Sequence, residues 1–282
     1  MSALILEGGT FRPIFSSGVM DALRDHGVDF SYVIGVSAGI TDGVSYVSRQ
    51  QKRNYDILMN HRHDKRYIGL RNYLTDRSMF GLKYAYETLP EKKYPFDWDT
   101  YRKNPATVRI GVTNVLTGKP EYLDGKKLDK TCSMLKATCA IPFVFPAIEV
   151  NGQKYYDGGI TDPIPVRKAQ EDGEERMLLV LTRPKGYRKT LSKANVAAAR
   201  ALKKKYPNLA GPLLTRHELY NGTVAYCEKL EREGKAVILR PTEEVQIESM
   251  EKDLKKIDRI YHFGYEETVK NLDKIKSICF PE

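Results

Sequence analysis

The chain has 282 residues, of which 41% are hydrophobic and 29% charged, with a formal net charge of +10. That length suits one large α/β domain or one domain with a modest appendage, and the balance excludes the disordered and fibrous classes. The positive charge favours anionic partners, whether lipid headgroups, acidic substrates or nucleic acid, without choosing among them.

The chain opens on an apolar run, Ala3 to Leu6, that leads into Glu7-Gly8-Gly9. This reads as a buried strand followed by a glycine turn. The opening residues carry no basic stretch and no long apolar run, so a signal peptide is not expected. A helix is predicted over roughly residues 13–25, with Pro13 in the first turn, where its missing N–H costs little. Phe30 to Val36 is a second strand and runs into Gly35-Val36-Ser37-Ala38-Gly39, with a helix from about Ala38 to Ser48. Two successive strand–turn–helix units predict an α/β fold with a mainly parallel sheet and helices on its faces.

Residues 51–105 are polar and rich in tyrosine and basic side chains, and read as helical or irregular cover over the site. Thr107 to Asn114 is a strand, with Glu121 to Leu123 as its hairpin partner through Thr117-Gly118-Lys119-Pro120. Lys130 to Cys139 is a short helix, broken at Ile141-Pro142. Lys154 to Asp157 is a short strand ending in Asp157-Gly158-Gly159. Met177 to Thr182 reads as a core strand and Ala236 to Leu239 as one more. Leu191 to Tyr206 and Arg216 to Glu233 are basic, helix-like connectors. From Glu243 the chain is charged and helical, with Leu254, Ile257, Ile260 and Tyr261 on one face.

The four cysteines, Cys132, Cys139, Cys227 and Cys279, form no C-x-x-C pair and have no histidine pair nearby to complete a zinc site. They read as reduced thiols of a cytoplasmic protein. No window approaches the roughly 20 apolar residues of a membrane span, so any membrane contact is expected to be peripheral, at an anionic inner face.

A nucleophile must stand clear of the backbone for a carbonyl to approach it. A sharp strand-to-helix turn does this and crowds the positions two before and two after the nucleophile, which favours glycine there. Gly35 and Gly39 meet that need around Ser37. The N–H groups of the following helix, Ala38 first, point at the site and favour a developing oxyanion. Gly8 and Gly9 end the neighbouring strand, and in a parallel sheet such loops converge on one edge. A nucleotide-phosphate loop is disfavoured, because positions 8, 10 and 13 hold Gly, Thr and Pro and no G-x-x-x-x-G-K-[ST] sequence occurs. Arg12 either holds this loop through polar contacts or is an exposed residue at the start of the helix.

The serine needs a proton acceptor. His26 reads as a helix cap, His61 and His63 as surface residues flanking an arginine, and His217 and His262 as residues of helices. None has a strand-end position. Asp157 has one, and Gly158-Gly159 permits close backbone approach. Asp-Gly-Gly is equally a turn in its own right.

Together these segments resemble the patatin-like phospholipase family from about Leu4 to Ala169. The carriers are Leu6-Glu7-Gly8-Gly9-Thr10-Phe11-Arg12, Gly18-Val19-Met20-Asp21-Ala22-Leu23, Val33-Ile34-Gly35-Val36-Ser37-Ala38-Gly39, Ala137-Thr138-Cys139-Ala140-Ile141-Pro142 with Phe145-Pro146, and Tyr156-Asp157-Gly158-Gly159-Ile160 with Asp162-Pro163-Ile164-Pro165. The tail is similar to that of bacterial members. The resemblance implies a three-layer α/β/α fold, with a catalytic core over residues 3–185. Residues 186–282 would then hold one further strand near 236–240 and a helical C-terminal extension. It also implies hydrolysis of lipid acyl esters by a phospholipase A, lysophospholipase or esterase. Ser37 would be the nucleophile, Asp157 its base, and the N–H groups of Gly8, Gly9, Thr10 and Ala38 the oxyanion donors. No metal or cofactor is implied. The family loop reads Gly-Gly-Gly-x-Arg-Gly, and Thr10 and Pro13 depart from it. That departure keeps open a catalytically weak or inactive lipid- or protein-binding module. No nucleic-acid partner is expected, because no binding motif accompanies runs such as Lys203-Lys204-Lys205-Tyr206.

Overall fold

The structure, a computed structural model, describes residues 2–281. Eight strands form one sheet: β1 (Ser2–Leu6), β2 (Tyr32–Val36), β3 (Thr107–Asn114), β4 (Pro120–Asp124), β5 (Ile148–Val150), β6 (Gln153–Asp157), β7 (Arg176–Val180) and β8 (Ala236–Leu239). Their order is β5-β6-β3-β2-β1-β7-β8, with β4 also paired to β3. The pairs β3–β2, β2–β1, β1–β7 and β7–β8 are parallel. Every residue of β1 and β2 is buried, as short apolar runs covered on both faces should be.

The helices are α1 (Ile14–Asp25), α2 (Ser37–Val47), α3 (Arg53–His61), α4 (Asn72–Asp76), α5 (Trp98–Lys103), α6 (Ser133–Thr138), α7 (Val166–Glu171), α8 (Lys193–Leu202), α9 (Ala210–Arg232), α10 (Leu254–Lys270) and α11 (Leu272–Cys279). The two-residue period of the strands sorts their side chains between the layers. Leu4 and Leu6 of β1 face Phe15 of α1, Ile257 of α10 and Ile275 of α11. Ala3 and Ile5 face Val166 of α7 and Val224 and Leu230 of α9. The result is helix, sheet, helix, and the C-terminal helices are packed into the first of these layers.

The hairpin partner of β3 is in place, with Leu123 opposite Ile110. Two elements have no counterpart in the reading of the sequence, the three-residue β5 and the short α7. Residues 51–105 are helical cover, comprising α3, α4, α5 and a π-helical stretch at Tyr84–Lys93 that contains Pro90.

The direction of β6 matters for the site. It runs antiparallel to β3, with Tyr155 opposite Asn114 and Asp157 opposite Val112. It therefore starts beyond the C-terminal end of β3 and travels back. Its last residue arrives opposite Val112, the neighbour of Gly111, which pairs with Val36. Asp157 thus reaches the same sheet edge as Ser37 from the opposite direction.

Candidate active site

Ser37 sits where β2 passes into α2, with φ of 55°. A side chain in this left-handed region costs about 1–2 kcal/mol. The turn is tight because the end of β1 runs directly beneath it. A Cβ at Gly35 would lie 2.7 Å from the Leu6 carbonyl oxygen, and one at Gly39 would lie 2.4 Å from that of Glu7. The Ser37 N–H donates to Thr138 Oγ1 at 2.8 Å, and the Thr138 hydroxyl donates to the Gly111 carbonyl at 2.5 Å. Ser37 is therefore tied by its backbone while its hydroxyl is left to the cavity.

The Gly8-Gly9-Thr10 segment lies beside it. A Cβ at Gly8 would stand 2.7 Å from the Ser37 Cβ, so this loop tolerates no side chain there. Among the described residues, the N–H groups of Gly8, Gly9 and Thr10 have no backbone acceptor. Ala38 is in the first turn of α2, where N–H groups also lack intrahelical partners. Thr10 has φ of 58°, a β-branched residue in a conformation that glycine adopts freely. Arg12 is buried, not exposed. Its Nε donates to Thr182 Oγ1 at 3.3 Å and its Nη1 to Ser249 Oγ. Thr182 in turn donates to the Gly8 carbonyl at 3.1 Å and, through its N–H, to Glu7 at 2.7 Å. The loop is thus fixed from behind by a guanidinium and a hydroxyl.

Asp157 is buried, and its carboxylate accepts the Gly159 N–H at 2.7 Å. Burial pushes its carboxyl above the usual carboxylate range. The Ser37 side chain opposes this, as do the charge of Arg216, the Gly159 N–H and the charge of Lys189. A buried carboxylate with a raised pKa, lining the same cavity as a serine hydroxyl, has the properties of a proton acceptor. The Gly158 backbone packs against β3, since a Cβ there would meet the Gly111 carbonyl at 2.3 Å. Arg216 of α9 clamps the turn by donating Nε–H to the Gly159 carbonyl at 2.5 Å.

Two cavities open at Ser37. One, of about 420 Å³, is apolar and includes Phe11, Ile57, Leu58, Phe80, Leu135 and Phe145 in its wall. Residues of the 51–105 cover form much of it. The other, of about 340 Å³, is polar and contains Asp157, Gly8, Gly9 and several basic side chains. Ser37 and Thr10 line both.

No histidine lines either cavity among the described residues. His26 does cap α1, its Nδ1 2.9 Å from the Ala22 carbonyl oxygen. His61 corrects the reading of a surface residue: it is buried, edge-on to the rings of Tyr84 and Tyr94. The tyrosines of the cover fold over it, which a charged local sequence conceals. Thr138 and Arg216 hold the site and were not identified by sequence reasoning. Thr138 lies within a segment that carries the family resemblance, but Arg216 looks like any basic residue on a helix.

Comparison with known proteins places these features in context. Residues 4–169 match the profile described as patatin-like phospholipase, and residues 206–280 match a domain of unknown function. An uncharacterized Escherichia coli (strain K12) protein, YjjU, is 25% identical over 187 residues, covering 64% of this chain and 52% of its own length. An uncharacterized NTE family protein of Mycobacterium tuberculosis is 28% identical over 169 residues, covering 58% of this chain and 44% of its own. A Saccharomyces cerevisiae lysophospholipase, NTE1, is 22% identical over 190 residues, 63% of this chain but 10% of the yeast protein. The chain thus spans about half or less of the length of these relatives. The crystal structure of VipD from Legionella pneumophila aligns with a TM-score of 0.51 at 14% identity, over 96% of this chain and 66% of that one, which is a likeness of fold.

Proposed function

The chain belongs to the patatin-like phospholipase family, and from that premise we propose that it is a serine acyl hydrolase cleaving carboxylic esters of lipids through Ser37 and Asp157. The Ser37 hydroxyl attacks the acyl carbonyl while Asp157 takes its proton. The oxyanion that forms is met by N–H groups of Gly8, Gly9, Thr10 and Ala38. Asp157 then passes the proton to the departing alcohol oxygen as the carbon–oxygen bond breaks. Water attacks the acyl-enzyme, loses its proton to Asp157 and releases the fatty acid. Ser37 recovers its proton from Asp157. Each unpaired donor in such a hole is worth about 3–4 kcal/mol of transition-state stabilisation.

One observation carries this reading: a strained serine flanked by unpaired N–H groups lines the same polar cavity as a buried carboxyl. Ser37→Ala and Asp157→Asn are expected to lower fatty-acid release from lysophospholipid and nitrophenyl esters by roughly a thousandfold or more. Alanine at His26, His61 or His262 should leave that order of magnitude intact. Retained turnover in both Ser37 and Asp157 variants would remove the dyad.

The departure at Thr10 and Pro13 supports a second reading, a catalytically weak or inactive lipid- or protein-binding member. Covalent labelling of Ser37 by a fluorophosphonate separates the two, because only the hydrolase reading expects it. Peripheral attachment to an anionic membrane face is part of the first proposal, in keeping with the +10 charge. Among the described residues, no helix is long and apolar enough to cross a membrane.

A further inference from the structure

Ser37 faces two cavities of opposite chemistry, and an ester has two ends. The apolar cavity accommodates an acyl chain, which leaves the polar cavity for the alcohol portion. That cavity brings together Arg12, Arg183, Lys189 and Arg216. Among the described residues, none of the four forms an ion pair with a carboxylate. The carboxylates lining the same space are Glu7 and Asp157. Glu7 already accepts the Thr182 N–H. Asp157 accepts the Gly159 N–H. The cavity therefore holds an excess of positive charge beside the nucleophile.

These basic side chains are held in place without a carboxylate partner. The Arg183 guanidinium lies 4.6 Å from the Tyr187 ring centre, and Lys189 Nζ lies 4.1 Å from that of Tyr220. The Lys189 backbone is pinned on both sides by Asn221, through its N–H at 2.8 Å and its carbonyl at 2.9 Å. Burial pushes the Lys189 ammonium down to about 7, and Arg216, Arg12 and Arg183 push the same way against the pull of Glu7. Mutual repulsion among fixed cations is unfavourable in the free protein and is relieved when an anion binds between them. Arginine forks and a lysine point charge suit a phosphate in particular.

We propose that the polar cavity is a subsite for a phosphate-bearing alcohol portion of the ester, with Arg183 and Lys189 as its specificity-determining residues and Arg216 at its floor. This rests on the ester-hydrolase reading. Arg183, Lys189 and Arg216 all lie outside residues 4–169, so the match to the family assigns them nothing.

The test compares two esters with one acyl chain, the oleoyl ester of glycerol phosphate and the oleoyl ester of glycerol. In the full chain, Arg183→Gln with Lys189→Gln should lower the ratio of kcat/KM for the phosphate ester over the neutral ester by about tenfold or more. Lys203→Gln with Lys204→Gln removes the same charge from exposed positions and serves as the control. A ratio unchanged in the cavity variant, or equally reduced in the control, overturns the subsite. A calorimetric titration of glycerol phosphate into Ser37→Ala, with and without the cavity substitutions, reads binding without turnover. Loss of heat with the substitutions supports the subsite even if neither ester is hydrolysed, an outcome that would sink the hydrolase reading alone. Equal binding of inorganic phosphate with no change in the ester ratio would identify a free-phosphate site and overturn the assignment to the alcohol portion.

Discussion

Two residues with side chains adopt left-handed backbone at the heart of this site, Thr10 and Ser37. At Ser37 the strain lifts the hydroxyl out of the turn. At Thr10 it preserves the path of a loop that the family builds with glycine. A β-branched residue there costs about 1–2 kcal/mol, against roughly 0.5–1 kcal/mol of chain entropy that glycine would lose on folding. Thr10→Gly should therefore raise the unfolding free energy by up to about 1 kcal/mol. Thr10→Ala keeps the Cβ and the strain, and should not. Urea unfolding of the pair decides it, and a less stable glycine variant would mean the strain is absent.

At the scale of elements, α1 and α10 cross through a pair of glycines in the layer that covers one face of the sheet. A Cβ on Gly18 would stand 2.0 Å from the Tyr261 carbonyl oxygen, and one on Gly264 would stand 2.3 Å from that of Phe15. The contact is reciprocal and backbone to backbone, so neither helix has a side chain that can turn aside. Gly18→Ala should destabilise by about 1–3 kcal/mol despite the better helix propensity of alanine, measured by denaturant unfolding. A neutral or stabilising result would mean that α10 slides freely. Much of this scale was legible in the sequence. Ala3–Leu6, Phe30–Val36 and Ala236–Leu239 read as strands because they are short apolar runs bounded by turn residues. Ser37 was legible because its flanking glycines are a steric requirement. The direction of β6, the brief β5 and the role of Arg216 were not legible. Strand direction depends on where the chain comes back from, and a clamp across the fold leaves no local pattern.

For the whole molecule, the revealing group is Asp42, at the wall of the apolar cavity. Burial pushes its carboxyl up to about 7, against the hydrogen bond from Ser17 and the charge of Arg53, with Asp21 adding to the rise. The folded pKa lies above the unfolded one, so the native state binds this proton more tightly. Its stabilising contribution is full below about pH 4 and is lost as pH rises through about 7. Allowing for solvent reaching the group through the cavity, the loss is roughly 1–3 kcal/mol. Asp42→Asn should accordingly be more stable than wild type at about pH 8, with the gap narrowing towards about pH 5. Unfolding midpoints across that range test it, and a gap independent of pH would show that Asp42 does not titrate there. Asp21, pushed up to about 6 chiefly by burial, remains in both proteins, so apart from its coupling to Asp42 its own titration is common to the two.

The position of Ser37 at the junction of two cavities also sets an itinerary. In the proposed reaction, once the carbon–oxygen bond has broken the alcohol would depart on the polar side while the acyl chain still plugs the apolar one. The space it would vacate is the polar one, and it borders Asp157. Incoming water therefore follows the outgoing alcohol through the same doorway. The fatty acid, tethered until the second step, is the last to leave.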